Sequence, residues 1–283
     1  MKLRTHLPAL CIAFTALAPL APGTALAADA PKSEQAAPAA PKLWNGFVQH
    51  VFEVNDNKSL LVIPAQAAPG NPWIWRTEFF GHQPQADIEL LKKGFHVAYT
   101  NVSNLYGAPI ALDKMDAYYE HVRKTYQLSE KTVLEGFSRG GLFAYNWAAR
   151  HPERVAAIYG DAPVCDFKSW PAGWGAGKGS AGDWATCKSV YNLTDETAKT
   201  YPSNPVDNLA PLANAGIPLL HVCGDADEVV PMAENTLLLK ERYEKLGGSM
   251  TLISKPGVGH HPHSLQDPTP IVDFVLKHTA PKL

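Results

Sequence analysis

The stretch Thr132-Val133-Leu134-Glu135-Gly136-Phe137-Ser138-Arg139-Gly140-Gly141-Leu142 constrains this chain more than any other. A β-branched, apolar run reaches a glycine, a serine stands two residues on, and a helix-forming run follows two more glycines. Such a sequence asks the backbone to turn sharply from strand into helix. Gly136 and Gly140 remove side chains that would collide across that turn. The serine at its apex stands at a helix N-terminus, where free N–H groups and the positive dipole end favour a developing oxyanion. Gly-x-Ser-x-Gly alone is a weak signal, and its place between strand and helix gives it weight. Ser138 is therefore the candidate nucleophile and the Arg139 N–H the candidate oxyanion donor.

Apolar runs at 47–54, 59–63, 73–79, 96–100, 132–135, 156–159, 219–223 and 251–254 read as strands. Helical patterns at 86–93, 113–126, 142–150 and 233–246 alternate with them. That alternation predicts an α/β fold with a mainly parallel sheet covered on both faces. The first two strands, with only a polar turn between them, are expected as an antiparallel edge hairpin. At the N-terminus, Lys2 and Arg4 precede an apolar run that ends in Ala25-Leu26-Ala27, the pattern of a signal peptide over 1–27. Residues 28–41 are Ala- and Pro-rich and read as a linker, leaving 42–283 as one catalytic domain. Within it, the Gly- and Trp-rich segment 163–205 breaks the rhythm and reads as a cap-like insertion. The expected location is periplasmic or extracellular, with no membrane span in the mature protein. With 25 basic against 27 acidic residues, nothing in the charge balance points to nucleic acid.

A serine nucleophile needs a base, and the base needs an orienting carboxylate. The strand at 219–223 runs into Gly224-Asp225-Ala226-Asp227-Glu228-Val229-Val230-Pro231. The strand at 251–254 runs into Lys255-Pro256-Gly257-Val258-Gly259-His260-His261-Pro262-His263. In a parallel sheet both loops emerge at the edge where the serine turn lies. On the residues alone the acid is Asp225 or Asp227, and the base is His260, His261 or His263. No partner cluster of Glu, Asp or Cys at ligand spacing accompanies these histidines, so neither a metal nor another cofactor is expected.

The three segments Gly-Phe-Ser-Arg-Gly-Gly, Gly-Asp-Ala-Asp-Glu-Val-Val-Pro and Gly-Val-Gly-His-His resemble those of the α/β-hydrolases. The branch they resemble holds secreted esterases and prolyl-oligopeptidase-like enzymes. The resemblance implies an α/β-hydrolase fold with an insertion over the active edge. It also implies that the acid preceding x-Val-Val-Pro is Asp227 and that the base following Gly-x-Gly is His260.

Around these groups, Arg76 ends a central strand and is a candidate ligand for a substrate carboxylate. Asn101, Asn104 and Tyr106 follow the next strand and offer hydrogen bonds, and Trp170 and Trp174 offer flat faces to sugar rings. Cys165 and Cys187 flank the insertion and are the expected disulfide, while Cys223 is expected to be buried and free. The chain is also similar to bacterial polysaccharide-associated esterases, including a pectin methylesterase type. The expected function is thus an exported serine carbohydrate esterase. A uronate methyl ester is placed ahead of an acetyl ester because Arg76 and Arg139 stand near the nucleophile. A serine peptidase of the prolyl-oligopeptidase-like group and a non-catalytic carbohydrate-binding protein on a hydrolase fold are the alternatives.

Overall fold

The computed structural model describes residues 42–280, so the signal peptide and linker expected over 1–41 lie outside the described residues. Nine strands form one sheet: β1 (Leu43–Trp44), β2 (Phe47–Val54), β3 (Asn57–Ile63), β4 (Trp73–Arg76), β5 (His96–Thr100), β6 (Thr132–Phe137), β7 (Val155–Asp161), β8 (Leu219–Gly224) and β9 (Met250–Lys255). Their order is β1-β2-β3-β5-β4-β6-β7-β8-β9. The first three strands are antiparallel, and β3 meets β5 antiparallel. From β5 onward every pairing is parallel. The β2–β3 turn is the two-residue Asn55-Asp56, both at positive φ, as a hairpin turn matched to strand twist requires.

Among the described residues, eight α-helices surround the sheet: α1 (Gln85–Lys92), α2 (Pro109–Tyr126), α3 (Gly140–Arg150), α4 (Ala181–Tyr191), α5 (Asp195–Lys199), α6 (Ala210–Asn214), α7 (Thr236–Lys245) and α8 (Thr269–Thr279). The strand period of two sorts side chains between two cores. Trp73, Trp75, Leu134, Ile158 and Leu219 pack toward Tyr118, Trp147 and Tyr243 of α2, α3 and α7. Ile74, Val133, Ala157 and Leu220 pack toward Leu90 of α1 and Ile271 and Val275 of α8. With both faces covered, β4, β6 and β8 are buried along their whole length. The segment 163–205, expected as an insertion, contributes α4 and α5 and a third apolar cluster, in which Phe167, Trp184 and Cys187 meet Tyr106 and Leu142.

The expected disulfide does not form. Cys165 packs in the core beneath α2, α3 and α7, whereas Cys187 of α4 faces the insertion's own cluster, and both are free thiols. Burial pushes the Cys165 thiol up, and pushes Cys187 and Cys223 up to about 12, so all three are poor nucleophiles. Peptide mapping without reduction is expected to find Cys165, Cys187 and Cys223 unpaired and alkylated only after denaturation. A cross-linked Cys165–Cys187 peptide would overturn this.

His221 of β8 is fully buried, 2.6 Å from Tyr145 Oη and 3.0 Å from Thr236 Oγ1. Burial pushes its pKa down to about 3. An imidazole depressed in the folded state is neutral there while the unfolded chain takes a proton below its ordinary value of about 6.5. Stability is thus fully present above that value and falls by about 1.4 kcal/mol per pH unit as the pH drops toward 3. Urea midpoints measured from pH 7 to 4 are expected to fall less steeply for His221→Gln than for the wild type. Parallel slopes would show that other groups drive the acid sensitivity.

Candidate active site

Ser138 stands at the turn between β6 and α3 with φ 48°, a left-handed conformation that costs free energy in a non-glycine residue. Three backbone bonds hold it there: its N–H donates to Asp161 O at 2.9 Å, and its carbonyl accepts from Val164 N at 2.8 Å and from Gly141 N at 3.0 Å. The glycines make room for the turn. A Cβ on Gly141 would lie 2.6 Å from Val164 O, and one on Gly136 would lie 3.0 Å from Gly140 O. Because the Ser138 N–H is taken by Asp161, the Arg139 N–H at the start of α3 is the donor left beside the hydroxyl.

The loops after β8 and β9 meet Ser138 from the other side. His260 Nε2 lies 2.9 Å from Ser138 Oγ, and His260 Nδ1 lies 2.7 Å from Asp227 Oδ2. The second carboxylate oxygen of Asp227 accepts the N–H groups of Val229 and Val230, each at 2.8 Å, in the tight turn that Asp-Glu-Val-Val forms. Burial pushes the Asp227 carboxyl up, but the His260 contact and these two N–H donors outweigh it and hold the group below its usual range. Asp225 is exposed and caps the next loop instead, accepting Gly257 N–H at 2.7 Å. The structure thus joins Ser138, His260 and Asp227 and leaves Asp225 apart.

A cavity of about 370 Å³ opens at the serine, lined by Phe79, His82, Ser138, His260, His261 and His263. The side chains of two of these residues, His82 and Phe79, were not singled out by the sequence, which offered their segment only as strand and backbone. Both come from the turn after β4, where the chain leaves its strand at Arg76 and Phe79 adopts φ 54°. Burial foremost, and then the nearness of His263, hold the His82 and His261 imidazoles below the usual histidine range. His263 is a structural anchor for the loop: its Nδ1 meets Asp161 Oδ1 at 2.7 Å. The other oxygen of that fully buried carboxylate accepts Ser264 N–H at 2.9 Å and Tyr159 O–H at 2.6 Å.

Most of the residues expected to bind substrate lie elsewhere. Arg76 is fully buried, so it cannot reach a substrate carboxylate. Its guanidinium pairs with Asp87 of α1 at 2.5 Å, lies 3.7 Å from Glu135, and donates to the His82 carbonyl at 2.7 Å. Burial works against its charge, but Asp87 and Glu135 outweigh it. Tyr106 is 1% exposed and donates its O–H to Asp183 of the insertion. Asn101 is exposed and turned into its own loop, accepting Ser103 N–H. Trp170 is half-buried beside Tyr106, and the exposed Trp174 stacks edge-on to Trp184; neither lines the cavity at Ser138. Asn104 accepts a hydrogen bond from the Arg139 side chain, which also faces Glu78 and Asp183, and does not line the cavity either.

The prolyl oligopeptidase family model matches residues 93–280, which include all three of these groups. The chain belongs to the prolyl oligopeptidase family. This overturns the carbohydrate-esterase expectation: the family is one of peptidases, and of the two arginines that favoured a uronate Arg76 is buried while Arg139 pairs with Glu78 and Asp183. Among solved structures, the chain is similar to dipeptidyl peptidase 4 of Porphyromonas gingivalis (TM-score 0.63, 16% identity, 82% of this chain and 36% of that one). It is also similar to a Mycobacterium tuberculosis puromycin-hydrolyzing peptidase (0.61, 12%, 81% and 38%) and to Pyrococcus horikoshii acylaminoacyl peptidase (0.54, 17%, 75% and 37%). At these identities the likeness is one of fold, and the chain spans little more than a third of each of these proteins. No curated protein matches the sequence.

Proposed function

We propose that this prolyl oligopeptidase family member is a serine peptidase that cleaves peptide or aminoacyl amide bonds through an acyl-enzyme. The observation that carries the reading is the unbroken series Ser138 Oγ, His260 Nε2, His260 Nδ1, Asp227 Oδ2, with contacts of 2.9 and 2.7 Å, in a chain of a peptidase family. The names of its structural neighbours, a dipeptidyl peptidase and a puromycin-hydrolyzing peptidase among them, support the choice of an amide over an ester bond.

In this mechanism the Ser138 hydroxyl donates its proton to His260 Nε2 as Oγ attacks the amide carbonyl. Asp227 accepts the His260 Nδ1–H, fixes the tautomer and stabilises the imidazolium that forms. The Arg139 N–H faces the developing oxyanion. His260 returns the proton to the departing amine, and a water activated by the same imidazole releases the acid and restores the serine. A cavity of about 370 Å³ is at the small end of ligand pockets and suits a short acyl portion. Export remains part of the proposal on the strength of 1–27.

The test is a panel of short peptide anilides and aminoacyl amides set against simple esters of the same acids. Cleavage of the amides by the wild-type chain is expected. Ester turnover with every amide left intact would overturn the peptidase reading.

A further inference from the structure

The three histidines around the mouth of the cavity are arranged for something the acyl-transfer chemistry does not use. One ring nitrogen from each of His82, His261 and His263 lies within 4.8 Å of the other two. Tetrahedral zinc, with Zn–N bonds near 2.1 Å, separates its ligand atoms by about 3.4 Å. His82 and His261 are exposed, so small rotations of their rings close that gap, while His263 is fixed.

The fixed member is held as a metal-ligating histidine is usually held. Its Nδ1 is engaged by the fully buried Asp161 carboxylate at 2.7 Å, which leaves Nε2 as the free donor and orients its ring. His82 is anchored from beneath by its backbone: the buried Arg76 donates to its carbonyl at 2.7 Å, and its own N–H closes a turn onto Phe79 O. Three imidazoles without a thiolate or a carboxylate suit zinc and its borderline neighbours rather than calcium or magnesium. A three-histidine set also leaves a fourth position open, here toward the cavity that Ser138 shares.

We propose that His82, His261 and His263 form a divalent transition-metal site, of zinc type, whose occupation blocks the catalytic cavity. A cation there fills space the acyl group needs. The same cation also stands against the base, since the ring centroids of His261 and His263 lie 5.0 and 4.8 Å from that of His260, and so narrows the approach to Ser138. The blocking step rests on the serine-hydrolase reading, whereas metal binding does not.

Calorimetric titration of the full chain with zinc is the direct test. One zinc per chain is expected, with affinity reduced at least tenfold in His82→Gln and in His261→Gln but retained in His260→Gln. Absence of stoichiometric binding, or binding that ignores the first two substitutions, would overturn the site. Loss of binding in His260→Gln alone would place the cation on the catalytic base and overturn it as well. In parallel, the rate at which a fluorophosphonate labels Ser138 is expected to fall on adding zinc and to recover with a chelator. In His82→Gln, measured against its own zinc-free rate, it is expected to change little. Unchanged labelling of the zinc-loaded wild type would overturn the blocking role. Zinc-free labelling reports the hydrolase reading separately.

Discussion

Ser138→Ala is expected to lower kcat for the proposed amide hydrolysis by at least about 1,000-fold while the chain stays folded. The size follows from what the substitution removes: the oxygen that stands 2.9 Å from His260 Nε2, and with it the covalent route. The fold survives because the bonds that hold the turn, to Asp161 O and from Val164 N and Gly141 N, are made by backbone atoms that alanine retains. The φ of 48° is no harder for alanine than for serine. Matching thermal melts, together with turnover by the purified variant on its best peptide substrate, check this. Near-normal turnover in a variant that melts like the wild type would end the serine-hydrolase reading.

Asp227→Asn is the second large effect, on the order of 10⁴-fold in kcat. An asparagine amide turned toward His260 donates to Nδ1, so the proton sits on Nε2 and the imidazole no longer accepts from Ser138. Asp225→Asn keeps an acceptor for Gly257 N–H on an exposed side chain and leaves kcat near the wild-type value. Steady-state kinetics on the two variants side by side separate them. The reverse ranking would mean that the loop after β8 presents the wrong carboxylate in the structure.

Alternation and turn chemistry carried the fold. β2 and β5 have the bounds their apolar runs predict, and the hairpin turn lies at Asn55-Asp56. Two misreadings share a cause in proline and polar punctuation. α2 begins four residues before the predicted start because Pro109 opens it, and α8 was missed because Asp267-Pro268-Thr269-Pro270 reads as a breaker. In fact Asp267 accepts the Thr269 N–H, and Ile271, Val272 and Val275 then fall on one buried face. In the site, the residues on the loops after β6, β8 and β9 could be placed because motif spacing is local. Arg76 could not: whether a strand-end arginine meets substrate or a buried partner depends on Asp87, which a helix brings beneath it. The histidine cluster was judged too poor for a metal for the same reason. Its third member, His82, lies far away in sequence and arrives only through the turn after β4. Nor does spacing reveal that Cys165 and Cys187 face different cores.

The position of β9 bears on how this molecule fails. It is an outermost strand, paired only with β8, and the segment carrying His260 hangs from its end. Left to itself, such a strand would fray first, and catalysis would vanish in denaturant well before the rest of the molecule opened. Asp161 changes that order. It belongs to β7, and by gripping His263 and Ser264 it ties the far end of the His260 segment to an interior strand. Peeling the segment away takes two hydrogen bonds from a fully buried carboxylate, and a bond to a charged group contributes about 1.5–3 kcal/mol. Catalytic competence and global cooperativity are thereby coupled, and the loss of activity in urea is expected to track the loss of far-ultraviolet dichroism. In Asp161→Asn the two curves are expected to part, with inactivation at the lower concentration.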